Sequence, residues 1–285
     1  MSDGRTGGAA HHRHRASRPA HAHVVDRDLR RWLTDSTPVA AAGRAVLLQI
    51  ADPVVAAGVR RHSDFARRPQ QRLAHTLMFV SAVLVGSEAD AALAAAFVDR
   101  AHRPVAGADD VERQRWVAAT LFDSARLAHD LFGDPIDAAR AEDVLAAYAP
   151  IATSLRVPPD RWFDSVADFD RSWSDTLATL RVTDDARGVV RDLLHPRAAP
   201  AWVRAAMPVV RVVTVGMLPA PLRAAYGFPW GAHEERRFRR TVAGLRRVRA
   251  VVPRWVLRLP APLLIRAMRR TAARHRAARP ASATD

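Results

Sequence analysis

The helical spacing of apolar residues is the feature that most restricts how this chain can fold. From Arg27 onward apolar side chains recur every three or four residues, and no stretch alternates apolar and polar residues over the length of a strand. In the segment 109–132, Trp116, Leu127 and Leu131 share one face, and Gly133 follows as a stop signal. A chain of 285 residues can bury a substantial core. The sequence therefore predicts an all-α fold.

Polar side chains that can do chemistry are concentrated on one predicted helix pair within residues 71–107. Positions three and four apart share a helix face, so Arg72 projects together with His75 and Thr76 from an otherwise apolar segment. A second helix, over about 88–103, carries His102 at its end. The pair fits two interpretations: it lines a buried cofactor pocket, or it consists of two core helices with a few satisfied polar groups.

Local signals predict where these helices begin and end. Gly86 interrupts the first helix, and Ser87 with Asp90 reads as a capping pair that opens the second. Pro104 ends the second helix, because proline removes a backbone donor and its ring clashes with the preceding turn. Asp52, directly before a proline, is predicted to cap the start of another helix.

The charge distribution divides the chain into three parts. Of the net charge of +15, residues 1–31 carry +4 and residues 233–285 carry +12, which leaves the rest near neutral. Residues 1–27 are predicted to form a disordered tail rich in His and Arg, because they have little to bury and lack the apolar run of a secretory signal. We expect a helical domain over 28–232, followed by basic amphipathic helices over 233–285.

Composition argues against several functional classes. The chain has no cysteine, which excludes disulfides, thiolate metal sites and a cysteine nucleophile. Its basic side chains are all arginine and it lacks asparagine, a bias typical of a GC-rich bacterial genome, so an arginine here is weak support for phosphate binding. No basic recognition helix and no basic tract interleaved with aromatic residues stands out, and we expect no nucleic-acid partner. Phosphate-cradling glycine loops and the common hydrolase and metalloprotease motifs are absent from the sequence.

The hydropathy pattern bears on membrane association. No run reaches about 18 uncharged apolar residues, so we expect no transmembrane helix and a cytoplasmic location. Peripheral membrane contact through 233–285 stays open as an alternative, because Trp255, Leu263 and Ile265 lie among arginines there.

A series of short motifs runs through about residues 40–232. In chain order they are Gly43-Arg44-Ala-Val-Leu-Leu-Gln49, Asp52-Pro53-x-Val55-Ala-Ala-Gly58-Val59, His62-Ser63-x-Phe65, Arg72-Leu-x-x-Thr76, Gly86, His102-Arg103-x-Val105, Trp116-Val-x-Ala119-Thr120, Leu180-Arg-Val-Thr183-Asp184 and Leu218-Pro-x-x-Leu222-Arg-x-x-Tyr226-Gly-x-Pro-Trp230. In this order the motifs resemble the MpaB-type oxygenase family, in its short bacterial branch. That family includes the catalytic domain of rubber oxygenase, the latex-clearing protein.

The resemblance implies a globin-like α-helical core around one haem b, and an oxygenase that acts on a hydrophobic, isoprenoid-type substrate with dioxygen. His102 falls where the family has its proximal iron ligand, and a neutral imidazole is a good axial ligand for haem iron. Arg72, His75 and Thr76 fall on the family's distal Arg-x-x-Lys-Thr segment. The resemblance thus makes these three the expected catalytic residues.

The resemblance also implies contacts to the cofactor beyond the proximal ligand. Arg72 is suited to pair with a haem propionate, and Thr76 to donate a hydrogen bond on the distal side. His75, which replaces the family's lysine, would bind the iron as a distal ligand or only donate a hydrogen bond. Arg103 and Thr120 belong to the matched motifs and are expected near the cofactor.

Three positions depart from the family pattern. Relatives of the short branch commonly have histidine at the positions of Asp52 and Ala118, and arginine at that of Ala106. None of the three is the expected iron ligand, so haem binding is compatible with these changes. Two functions stay open: an active oxygenase, and a non-catalytic haem-binding or peripheral membrane protein of the same fold.

Overall fold

A computed structural model of the protein describes residues 27–62, 69–103, 109–196 and 199–277. The expectation of an all-α fold is confirmed, since these residues form helices and turns and no strand. The helices are α1 (Arg27–Thr34), α2 (Ala42–Gln49), α3 (Pro53–His62), α4 (Pro69–Val85), α5 (Glu88–His102), α6 (Val111–Phe132), α7 (Ala138–Ser154), α8 (Val166–Thr179), α9 (Asp184–Leu194), α10 (Ala201–Gly216), α11 (Ala220–Ala225), α12 (Ala232–Val251), α13 (Arg254–Arg258) and α14 (Pro260–Ala277). The predicted tail over 1–27 lies, except for its last residue, outside the described residues.

Side chains cap the starts of several helices as the sequence predicts. The Ser87 hydroxyl accepts from the backbone N–H of Asp90, and the Asp90 carboxylate accepts in return from the backbone N–H of Ser87, a complete capping box. The Asp52 carboxylate accepts from the backbone N–H groups of Val54 and Val55 at the start of α3. These bonds satisfy donors that a helix start otherwise leaves without a partner.

Helix α6 lies at the centre of the bundle. It packs against α2, α7 and α12, and its buried positions include Trp116, Phe122 and Phe132. On one side, α4 forms an antiparallel pair with α5, and α7 packs behind them. On the other side, α3 packs on α9, and α10 lies against α2 and α12. The chain thus buries both faces of its longest helix, as a helical bundle requires.

A buried ion pair joins α2 to the central helix α6. Arg44 on α2 donates from Nη2 to the Asp123 carboxylate at 2.6 Å, from Nη1 to the Ser124 hydroxyl at 2.8 Å, and from Nε to the carbonyl of Met217 at 2.8 Å. Burial lowers the pKa of the Arg44 guanidinium, and the Asp123 charge opposes that effect. Each donor group of Arg44 therefore has a partner, as a buried charge demands.

Two buried aromatic side chains hold the other end of α2. The hydroxyl of Tyr226 donates to the carbonyl of Leu47 at 2.6 Å, and the indole N–H of Trp116 donates to the carbonyl of Leu48 at 3.1 Å. These carbonyls belong to the last turn of α2, where helix carbonyls have no partner within the helix. Helix α2 is therefore fixed along its length to α6 and to the segment after α11.

The basic C-terminal helices pack on the rest of the chain. Helix α14 lies against α4 and α5 and buries Ile265 and Met268. Arg269 forms a bidentate pair with the Asp90 carboxylate, with both N–O distances at 2.6 Å. The hydrogen bond to Arg269 holds the pKa of Asp90 well below its ordinary value. Asp90 thus both caps α5 and anchors α14.

Among the residues that the structure describes, no single helix is long and apolar enough to cross a bilayer. Two consecutive segments, Thr37–Gln49 and Pro53–Arg61, are together long and apolar enough to cross a bilayer by length and composition alone, but the chain bends by 106° at the break between them.

His129 on α6 is buried without a polar partner. Its ring stacks on Trp32 of α1 with centroids 4.0 Å apart, and neither ring nitrogen has a hydrogen-bond partner among the residues the structure describes. Desolvation lowers the pKa of His129 from 6.5 to about 4, with smaller effects from Asp35, Arg249 and Asp134. The folded protein therefore holds this imidazole neutral near pH 7.

We expect loss of the Arg44–Asp123 ion pair to weaken the fold strongly. Asp123→Ala leaves the Arg44 charge buried without its counter-ion, and should lower the free energy of unfolding by about 3–5 kcal/mol in urea denaturation. The control is Arg31→Ala, which removes an exposed pair with Asp28 and should cost less than about 1 kcal/mol. Equal losses for the two variants would contradict a structural role for the buried pair.

We also expect His129 to make stability dependent on pH. Below pH 6.5 the unfolded chain binds a proton at this ring, whereas the folded chain does not bind it until about pH 4. The free energy of unfolding should therefore fall by up to roughly 3 kcal/mol as the pH drops from 6.5 to 4. His129→Phe, which keeps an aromatic ring against Trp32, should flatten that part of the profile in thermal unfolding. An unchanged slope would exclude His129 as its source.

Candidate cofactor and substrate site

The predicted helix pair is present, and its turn is tight. Helices α4 and α5 are joined only by Gly86 and Ser87, so they run antiparallel and pack along their length. A Cβ on Gly86 would collide with the carbonyl oxygen of Ala82, which explains why glycine occupies the turn. The N-terminal half of α4 consequently lies beside the C-terminal half of α5. We refer to this region, which carries His75 and His102, as the open end of the hairpin.

The two predicted distal residues that the structure describes face different cavities. His75 lines a cavity of about 260 Å³ between α4, α5 and α14, where its ring meets that of Phe97 edge to face at 5.0 Å. Thr76 lines a cavity of about 490 Å³ on another side of α4. Both residues share a helix face with Arg72, but they are successive residues, whose side chains point about 100° apart on a helix. His75 and Thr76 therefore do not line the same cavity. Arg72 lies on α4, and its side chain is outside the described part of the chain.

His102 ends α5 in a half-buried position. Its Nδ1 lies 3.5 Å from Nε2 of Gln114 on α6, at the outer limit of a hydrogen bond. The next residue, Arg103, is exposed and reaches Asp99 at 3.5 Å. Ala106, one of the positions that depart from the family pattern, falls outside the described residues.

The larger cavity is enclosed mainly by apolar side chains from α2, α4, α6 and α10. Its volume of about 490 Å³ is within the range of small-molecule sites. The few side chains in its wall that carry polar groups are those of Gln49, Thr76, Ser124, Tyr148 and Thr214. Such a cavity favours an apolar ligand, with hydrogen-bonding groups at only a few positions.

Thr120 lies behind this wall rather than in it. It is fully buried, donates to the carbonyl of Val117 at 2.7 Å and accepts from the Gln49 amide at 3.0 Å. The hydroxyl of Thr120 thus holds the amide of Gln49, a residue of the cavity wall. The expected place of Thr120 near the cofactor stays a prediction.

The departing positions Asp52 and Ala118 have clear places in the fold. Besides capping α3, Asp52 lies 3.5 Å from the Nε atom of Arg113. Ala118 is fully buried in the core between helices. Asp52 thus caps a helix, and Ala118 fills a position in the core.

Among the described residues, the open end of the hairpin offers separate imidazoles rather than a cluster of metal ligands. Within the described ranges, no three His, Asp or Glu side chains lie close enough together to hold a metal ion. A haem brings four nitrogen ligands of its own and needs only axial ligands from the protein. The open end of the hairpin supplies single imidazoles from His75 and His102. Around His75 the cavity is apolar, and Arg100 adds a cation of the kind that pairs with a propionate. Imidazole and guanidinium groups of the kind that hold a haem are therefore present at this end of the hairpin, and His102 is not among the residues that line the cavity of His75.

The sequence alone did not single out several residues that build the site. Arg44 appeared in a family motif without a stated role, and its partner Asp123 is 79 positions away. Thr214 is a buried cavity residue whose hydroxyl lies against Gly43, where a Cβ would collide with it. The only signal in the sequence was that Arg44, a charged residue, lies inside the apolar run of α2. Such a residue predicts a buried partner, but it does not identify that partner.

The fold and the cavities define a class: helical proteins that enclose an apolar cavity. Residues 29–247 match the family described as the catalytic domain of ER-bound oxygenase mpaB/B' and rubber oxygenase. Because the match covers well over half of the chain, the protein belongs to this oxygenase family, as the motifs predicted.

Two mycobacterial proteins are similar to the chain. They are the uncharacterized protein Rv2237 of Mycobacterium tuberculosis and the uncharacterized protein Mb2261 of Mycobacterium bovis. Each is 28% identical over 222 residues, which cover 73% of this chain and 87% of the relative. No solved structure matches the chain.

Two alanines on α6 test the larger cavity. Ala125 lines it, so Ala125→Phe should leave the free energy of unfolding within about 1 kcal/mol of the wild-type value and reduce the binding of an apolar fluorescent dye. Ala118 is packed on all sides, so Ala118→Phe should lower the free energy of unfolding by about 1–3 kcal/mol or more. Urea denaturation and dye titration measure the two effects. Equal destabilisation by both substitutions would mean that the cavity cannot accept a ring.

Proposed function

We propose that the protein is a haem b-dependent oxygenase that uses dioxygen to oxidise a hydrophobic, isoprenoid-type substrate. The observation that carries the proposal is the apolar cavity of about 490 Å³ beside a helix that bears family motif residues. Membership of an oxygenase family supports the reaction class. The proposal of a haem rests on the imidazole and guanidinium groups at the open end of the hairpin. The proposal of a hydrophobic substrate rests on the apolar walls of the cavity.

In this proposal the open end of the hairpin holds the cofactor. His102 gives its imidazole as the proximal ligand from α5, and His75 offers a second imidazole from α4. Arg72 and Arg100 supply positive charge for the propionates, which charge-assisted hydrogen bonds would hold. When bound, haem iron supplies the centre at which dioxygen is activated.

The larger cavity would hold the substrate. Its aliphatic walls exclude water and favour an alkene-rich chain, because burial of apolar surface drives such binding. Thr76 adds a hydroxyl to the wall of this cavity, and it directly follows His75 on α4. Thr76 and the amide of Gln49 would then orient the substrate, because few other polar groups reach the cavity.

A non-catalytic haem-binding relative is the second candidate. It is favoured by Asp52, whose carboxylate is committed to capping α3 at a position where relatives commonly have a histidine. Turnover measurements with haem-loaded protein separate the two candidates. A full complement of haem without oxygen consumption in the presence of isoprenoid alkenes would favour the second.

The proximal ligand is tested with His102→Ala. Wild-type protein expressed with ample haem should show a Soret band, and the variant should bind haem about tenfold or more weakly, a loss of at least about 1.4 kcal/mol. His195→Ala, which removes an exposed histidine at the end of α9, serves as the control and should keep the wild-type spectrum.

His75→Ala then distinguishes the two distal roles. A shift of the Soret band in this variant would mean that His75 binds iron, and an unchanged band would leave it as a hydrogen-bond donor. If wild-type protein shows no Soret band and takes up no added haemin, the proposal is wrong.

A further inference from the structure

One segment of the chain carries nearly half of the exposed large hydrophobic residues that the structure describes. Of the large hydrophobic residues that the structure describes as exposed, five lie between the end of α12 and the start of α14. They are Val248, Val251, Trp255, Leu259 and Leu263, exposed by 58, 80, 65, 41 and 54%. We call these five residues the apolar rim. Concentrations of exposed apolar residues mark protein or membrane contact sites.

The apolar rim adjoins the mouth of the larger cavity. Val39, Val209 and Val210 line that cavity and are themselves exposed, so the cavity reaches the surface at these residues. Leu245, one turn before Val248 on α12, also lines the cavity. The mouth is thus formed in part by the helix that carries the first residues of the apolar rim.

Hydrogen bonds fix α12 and α13 beside this mouth. Arg249 donates to the hydroxyl of Thr37 at 3.1 Å, and the carbonyl of Leu257 accepts from the backbone N–H of Ser36 at 2.9 Å. The segment after Thr37 carries Val39, which lines the cavity. The apolar rim and the cavity mouth therefore share one side of the protein.

The charges of the chain segment that carries the apolar rim have a single sign, and within it Arg249 pairs with Asp35 and Asp134 of other segments. From residue 236 to residue 284 the chain has fifteen arginines and no acidic residue. Arg246, Arg247 and Arg254 are exposed next to members of the rim. Apolar side chains surrounded by cations are the pattern of a surface that lies in the headgroup region of an anionic bilayer.

We propose that the apolar rim docks on an anionic lipid bilayer and turns the cavity mouth toward the lipid. A second copy of the chain is a poorer occupant, because two such surfaces would bring arginines together. A nucleic acid would leave the exposed valine and leucine side chains without partners. Docking itself does not depend on the proposed function. The further step, in which apolar substrate passes from the lipid into the cavity, rests on that function.

The test is co-sedimentation of the full chain with vesicles. Wild-type protein should bind vesicles that contain phosphatidylglycerol, bind pure phosphatidylcholine vesicles far less, and lose affinity as salt rises. Val251→Glu should weaken binding about tenfold or more. The matched control, Val54→Glu, places the same charge at an exposed valine on α3 and should bind like wild type.

A second variant keeps the proposal testable if Val251→Glu does not fold. Arg246→Gln with Arg247→Gln leaves the apolar rim intact and should also weaken binding about tenfold or more. Equal binding by wild type, both rim variants and Val54→Glu would overturn the proposal. So would a preference for duplex DNA over anionic vesicles in a competition experiment. Vesicle binding by His102→Ala at the wild-type level would keep docking valid even if the haem proposal failed.

Discussion

The buried contact between Arg44 and Asp123 is the interaction on which the rest of this fold depends. A charged side chain inside the apolar helix α2 is tolerated only if every donor is matched, and Ser124 and the carbonyl of Met217 complete the set. These partners come from α6 and from the segment after α10, so one guanidinium fixes three parts of the chain. The indole of Trp116 and the hydroxyl of Tyr226 fix the other end of α2.

This frame explains why a large cavity can persist beside a well-packed core. Helices α2 and α6 supply two of its walls, and both are held by directional bonds rather than by apolar contact alone. Helix α4 supplies the wall that carries Thr76, and its partner α5 is tied to α14 through Asp90 and Arg269. A rigid frame with few polar groups at its inner surface suits a bulky apolar ligand, since little ordering is required when the ligand binds.

The sequence predicted the features that depend on neighbouring residues. The Ser87–Asp90 capping box, the Asp52 cap and the α4–α5 pair follow from local spacing, and all three are present. Features that depend on long-range contacts could not be predicted in this way. The partner of Arg44 is 79 positions away. His75 and Thr76 face different cavities, because α5 and α14 pack on one side of α4 and the larger cavity lies on another.

The central claim is that one iron-containing cofactor lies at the open end of the α4–α5 hairpin. Locating iron by anomalous scattering in crystals of haem-loaded protein tests this directly. The account predicts one iron site per chain, between α4 and α5, with the imidazole of His102 as a ligand. A principal iron site elsewhere, such as among the histidines of the N-terminal segment, or a haem held without contact to α5, would contradict the account.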